Sequence, residues 1–280
     1  GGRHWVELKN NMPTMPFNDL TIHLRDNDLV LATHARGIWI LDSLAAIQGL
    51  GTASATDAQL FAVDAAEQIR YTNLKAHAGD MVFRGDNPPN GAIIDYWLAN
   101  AGGQVSLAVH DASGTLVQTL APSTRKGVNR VIWNLRHAEL PVRAGFSEDD
   151  DAPRGGNLPG PYVTPGVYTV RLVVGGKTLE QKVTVKDDPR IDATPADRKI
   201  WTDFQMQVAA TIRQWAPVND TLQKANVDAD LKRQGRELTS RLSGLFGATG
   251  RWVGRPTADQ QSEFAFYKEM VTKLTAAVPR

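Results

Sequence analysis

The side chains with the clearest potential for chemistry are carboxylates near the start of the 280-residue chain: Asp19, Asp26, Asp28 and Asp42. Glycoside hydrolysis needs two carboxyl groups flanking the scissile bond, about 5–9.5 Å apart. Asp26 and Asp28 belong to an Asp-Asn-Asp sequence, where short polar side chains bond the backbone, and Asp42 ends a strand pattern. Turn formation is the reading these four favour. His34 and Arg36 stand in a turn between two strand patterns. They are candidate binding residues, facing a ligand groove or bonding loop carbonyls. Glu148-Asp149-Asp150-Asp151 is an acidic run. Oxygen-only donors suit Ca²⁺, but the run lacks the alternate spacing and central glycine of an EF-hand loop. Asp149, Asp150 and Asp151 are therefore candidate metal ligands in what reads as a solvated loop.

Other chemistries find no pattern. The six histidines have no metal-ligand spacing, and no Gly-x-Ser-x-Gly or phosphate-binding loop occurs. The chain has no cysteine, which removes disulfides and thiolate sites. No cofactor is expected. Of seven tryptophans, Trp39, Trp97 and Trp133 fall in strand patterns and Trp201 and Trp215 on a helical stripe, as core residues do. Trp5 lies outside such patterns. So does Trp252, in a Gly-containing turn, and it is the third candidate binding residue. Asp111-Ala112-Ser113-Gly114 reads as an Asx-turn.

The elements that carry these residues change along the chain. Phe17–His23, 28–33 and 37–41 alternate as short strands, with a further run at Trp5–Leu8. Four short strands at this spacing suit one blade of a β-propeller, which cannot bury both its faces alone. Residues 51–58 read as a small, polar linker. Residues 59–190 hold about seven strands, including Val105–His110, Val131–Leu135 and Tyr168–Val174, with Gly175-Gly176 as a two-residue hairpin turn. That density points to a β-sandwich. A long Gly/Pro/acidic loop, 137–164, interrupts it. From 191 the period becomes helical, with Trp201, Phe204, Val208, Ile212 and Trp215 on one stripe, started by Thr194, Pro195 and Asp197. A second helix follows Leu231, Leu238, Leu242 and Leu245. A third begins at a Thr257/Gln260 capping box. Lys224, Lys232, Arg233, Arg236 and Arg241 make the second helix basic, as a solvated face or a surface for an acidic partner.

The run from Asp28 to Asp42, Asp-Leu-Val-Leu-Ala-Thr-His-Ala-Arg-Gly-Ile-Trp-Ile-Leu-Asp, resembles the closing blade of bacterial BNR-repeat (sortilin-like) propeller proteins. These are often labelled glycosyl hydrolase-like. Ala32 and Ala35 stand where that pattern usually has glycine. Val105–Leu120, Gly127–Leu135 and Pro165–Val170 resemble the immunoglobulin-like module of the flagellar hook-capping (FlgD-like) type. The tail from Asp188-Pro189-Arg190 resembles the helical end of the same propeller proteins. The resemblance implies a largely β fold with a helical C-terminal region. Its parts are a blade remnant (1–58), an Ig-like sandwich (59–190) and a helical tail (191–280).

It also implies an exported parent whose remaining blades, in the same or a separate chain, are the main partner. The expected role is a structural or binding module that braces the propeller and presents it to a protein or glycan. The alternative is the accessory end of a glycoside hydrolase-like enzyme with its catalytic residues on other blades. No catalytic residue is assigned to this chain. With 31 basic and 30 acidic residues, the net charge of +1 gives no reason to expect nucleic acid. No apolar stretch is long enough for a transmembrane helix.

Overall fold

The fold is a computed structural model. It describes residues 5, 7, 11–12, 14–71, 85–143, 156–224 and 226–278. The chain is mixed α and β, with comparable shares of helix and strand, rather than mainly β. The expected helical C-terminal region is present, and its long helices bring the share of helix up to that of strand.

Strands β1 (Phe17–His23), β2 (Asp28–Thr33) and β3 (Ile38–Leu41) form an antiparallel meander. The register sets Leu20 beside Leu31 and Trp39, and Ile22 beside Leu29 and Leu41. One face is therefore wholly apolar at these positions. The opposite face carries Val30 beside Ile40 and Ala32 beside Ile38. Three strands are expected and found; the fourth, Trp5–Leu8, falls mostly outside the described residues. None of the three contributes to the hydrophobic cores found elsewhere in the described residues. Ile38 and Ile40 are 70% and 59% exposed.

The reading of 51–58 as a linker does not hold. Helix α1 spans Ala45–Ala53 and packs Ala45, Ala46 and Ala53 against Phe61, with Trp97 alongside. Small residues make one side of α1 flat. A Cβ on Gly49 would lie 2.8 Å from the Phe61 ring. Glycine here serves close approach rather than flexibility.

Two further sheets close on one core. One holds β4 (Ala58–Leu60), β6 (Ala92–Leu98) and β9 (Gly127–Trp133). The other holds β5 (Ala66–Glu67), β13 (Lys177–Lys186), β12 (Gly166–Val174), β7 (Val105–His110) and β8 (Leu116–Leu120), in that order. Alternate residues of both sheets point inward: Ile94, Tyr96 and Leu98 meet Leu107, Val109, Val170 and Leu172. Trp133 meets the Tyr168 ring edge-on at 5.3 Å. Gly175 and Gly176, at φ 55° and 83°, form the expected tight turn between Val174 and Lys177.

The region expected as one long loop contains a two-stranded ribbon, β10 (Leu140–Arg143) and β11 (Asn157–Leu158). Leu140 and Val142 leave the sandwich and enter a second core with the helices. Those helices are α2 (Pro195–Leu222), α3 (Ala229–Gly250) and α4 (Ala258–Ala276). The expected caps are present: the Thr194 hydroxyl accepts from the Asp197 amide, and Thr257 and Gln260 complete a capping box. Helix α2 continues through Pro217, beyond the stripe that defines it in sequence, because Ala216, Val218 and Leu222 still join the helical core. Of the residues expected to make the second helix basic, Lys224 lies before α3, Arg233 and Arg241 pair with its own Asp230 and Glu237, and Arg236 bonds the Gln223 side chain.

Replacing Gly49 by Ala will force its new methyl group into the Phe61 ring and is expected to destabilise the fold by about 1–3 kcal/mol. Chemical denaturation of the two proteins measures this. A variant as stable as the wild type would mean that α1 does not pack as described.

Candidate functional site

The turn between β2 and β3 presents His34 and Arg36. The Thr33 amide and hydroxyl both donate to the Gly37 carbonyl, at 3.1 and 2.7 Å, and the His34 amide donates to Pro16 at 3.1 Å. Backbone bonds close this turn. The side chains of His34 and Arg36 are exposed and make no bond within the described residues. Ala35, where the resembling pattern has glycine, sits at φ 67°. A side chain in that left-handed region carries strain of about 1 kcal/mol.

Trp252 is 83% exposed in the segment between α3 and α4. No hydrogen bond or ring contact joins it to His34 or Arg36. Asp149, Asp150 and Asp151 lie outside the described residues. Among the described residues no group of three acidic or histidine side chains is placed to hold a metal ion.

The early carboxylates divide between turns and a corner. Asp19 accepts from the next amide, of Leu20, at 2.8 Å. Asp26 pairs with Arg25 at 2.7 Å and with His23 at 3.0 Å, and the hydrogen bond from Arg25 holds its carboxyl below the usual range. Asp28 instead reaches the corner where β3 turns into α1. There the buried Ser43 adopts φ 56°. Its amide donates to Asp28 at 2.9 Å and its hydroxyl to Asp64 at 2.8 Å. Its carbonyl accepts from Arg130 at 3.4 Å.

Arg130 on β9 grips its cross-strand partner Asp95 on β6 through two bonds of 2.8 Å. Asp95 is almost completely buried. Those bonds hold the guanidinium above its ordinary value against the effect of burial. Asp42, beside the corner, is pushed above the usual carboxylate range by burial and then by the charge of Asp28, with Arg130 opposing. Sequence reasoning missed this assembly. Asp95 and Arg130 lie far apart along the chain, and nothing in their local pattern signals a pair.

A second missed assembly joins the sandwich to the helices. The Gly160 backbone packs so closely on His137 and Ala138 that a Cβ would lie 2.3 Å from the His137 carbonyl oxygen. The Arg136 guanidinium lies over the Tyr162 ring at 3.6 Å and donates to the Gly160 carbonyl at 2.9 Å. Arg213 of α2 donates to the Ala138 carbonyl at 2.6 Å. His137 is half-buried, and burial, followed by the charge of Arg213, lowers its imidazole below the usual value while Asp111 opposes them. The Asp111 carboxylate itself accepts from the amides of Ser113 and Thr115 at 2.9 Å, as an Asx-turn requires.

The chain matches no family model and no curated protein.

Replacing Arg130 by Met will leave Asp95 buried without its partner. The expected loss is about 3 kcal/mol, measured by denaturant unfolding. Replacing both Asp95 and Arg130 with apolar residues of similar volume is expected to cost much less.

The depressed His137 sets a pH dependence. Its unfolded form binds protons more readily than its folded form. Stability is therefore expected to fall as pH drops below about 6.5 toward the lower folded value. The stability difference between wild type and His137→Asn should be flat above neutrality and move against the wild type below it. A difference that does not change with pH would remove His137 from this role.

Proposed function

We propose that the chain is a bracing and presenting module of a larger, exported β-propeller protein of the BNR-repeat type. Strands β1–β3 supply part of a blade. The two-sheet unit, read as an immunoglobulin-like module, and the helices hold that blade and present the assembled propeller to a protein or glycan. The observation that carries this reading is a sheet with aliphatic side chains on both faces, of which Leu20, Ile22, Ile38 and Ile40 are exposed while Leu31 on the central strand is buried. A sheet of this kind is stable when a layer lies on each side.

Support also comes from how the sheet is held. The Leu44 amide donates to Asn27 at 2.8 Å, and the Asn27 and Gln48 side chains pair at 3.0 Å. Together with the Ser43 corner, these bonds fix the sheet's end while leaving Leu20, Ile22, Ile38 and Ile40 exposed. The occupants are further strands of the propeller, from the same polypeptide or a separate one.

Hydrogen–deuterium exchange tests the proposal. In the 280-residue chain, amides of β1 and β3 are expected to exchange far faster than those of β6 and β12. In an assembly that contains the remaining blades they should slow on the order of 100-fold or more. Equal rates in both settings would overturn the proposal.

A further inference from the structure

The joint between sandwich and helices holds more positive charge than its fold requires. Arg198, in the first turn of α2, is only 6% exposed. One Nη donates to the Gln68 side chain and to the Val163 carbonyl, and lies 3.3 Å from Asp187. The guanidinium lies over the Trp201 ring at 4.6 Å. Its Nε is buried and has no acceptor within the described residues. Arg70 and Arg136 both approach the Tyr162 ring, at 5.2 and 3.6 Å. Arg70 donates to the Arg251 carbonyl, which brings this cluster next to the exposed Trp252.

Charge counting identifies what would complete the cluster. Asp188 is matched by Arg190 at 2.6 Å. That leaves Arg70, Arg136 and Arg198 against Asp187 alone, a surplus of two positive charges among the described residues. Burial pushes the Arg136 and Arg198 guanidiniums down, and the charge of Arg70 adds to this in both. Each guanidinium carries five N–H donors, and the protein bonds named here use only one or two on each. Guanidinium forks match the geometry of phosphate oxygens, and a phosphate monoester is close to a dianion at neutral pH.

We propose that this joint binds a phosphate-bearing ligand. The unpartnered Arg198 Nε, Arg70 and Arg136 supply the donors, and Trp252 forms the exposed rim. Asp187, with its side chain 40% exposed, orients Arg198 and disfavours larger polyanions through its own charge. The site is independent of the β1–β3 sheet and stands whether or not that sheet docks a blade.

The test is titration of the intact chain with inorganic phosphate and with glucose 6-phosphate at constant ionic strength. Thermal unfolding and the ¹⁵N–¹H signal of Arg198 Nε are both followed. The expected result is a saturable rise in Tm together with a saturable shift of that signal. Arg70→Gln, at a part-exposed position, should weaken binding about tenfold or more while remaining folded. Tighter binding of glucose 6-phosphate, with fluorescence quenching that is lost in Trp252→Ala, would assign the phosphate to a sugar phosphate. Equal binding of both, without quenching, would assign the site to the free anion. No saturable shift of the Arg198 signal, or an affinity unchanged in Arg70→Gln, would overturn the proposal.

Discussion

The bond pair between Asp95 and Arg130 fixes how the N-terminal sheet meets the rest of the molecule. A carboxylate at the centre of a buried strand is tolerable only with a partner of opposite charge and good geometry. The β6–β9 register supplies that partner directly across the ladder. With its two donors engaged by Asp95, the guanidinium still reaches the Ser43 carbonyl. Ser43 is in turn held at its amide by Asp28 and at its hydroxyl by Asp64. These bonds offset the strain of its left-handed backbone, about 1 kcal/mol. A line of polar contacts thus runs from the sandwich core to the first residue of β2.

The consequence is a sheet held at one end with several of its apolar side chains exposed, although Leu31 on its central strand is buried. The apolar positions of β1–β3 would ordinarily mark a hydrophobic interior, yet no core residue of the other units reaches them. The sandwich and helices, by contrast, each have a complete core of their own. They are tied together by the β10–β11 ribbon, whose Leu140 and Val142 belong to the helical core although their strand leaves the sandwich.

The arginine joint has a different logic from the Asp95–Arg130 pair. There each charge has a matched partner. In the joint, cation–aromatic contacts with Tyr162 and Trp201 and bonds to carbonyls hold three guanidiniums against the single carboxylate of Asp187. Such contacts fix position and leave charge to be met from outside. The exposed Trp252, a candidate from sequence alone, gains a context here that it lacked. His34 and Arg36 gain none beyond an exposed turn.

Much of the local structure was legible in the residues. Period-two patterns located β1–β3, β7 and β12, and period-3.6 stripes located α2–α4. Thr194, Thr257 and the Gly175-Gly176 turn marked their ends. These signals are short-range: the bonds that form a cap or a turn involve residues a few positions apart. The sequence by itself thus determined these elements and which of their faces are apolar, but neither α1 nor the β10–β11 ribbon. What covers those faces was decided only by the tertiary structure. Helix α1, which runs into the segment read as a linker, is held by the packing of Gly49 and its alanines on Phe61. Arg70, Arg136, Tyr162 and Arg198 are scattered along the chain and meet only because strand register and the docking of α2 bring them together. Pairing across such distances depends on packing geometry, which no local pattern of residues encodes.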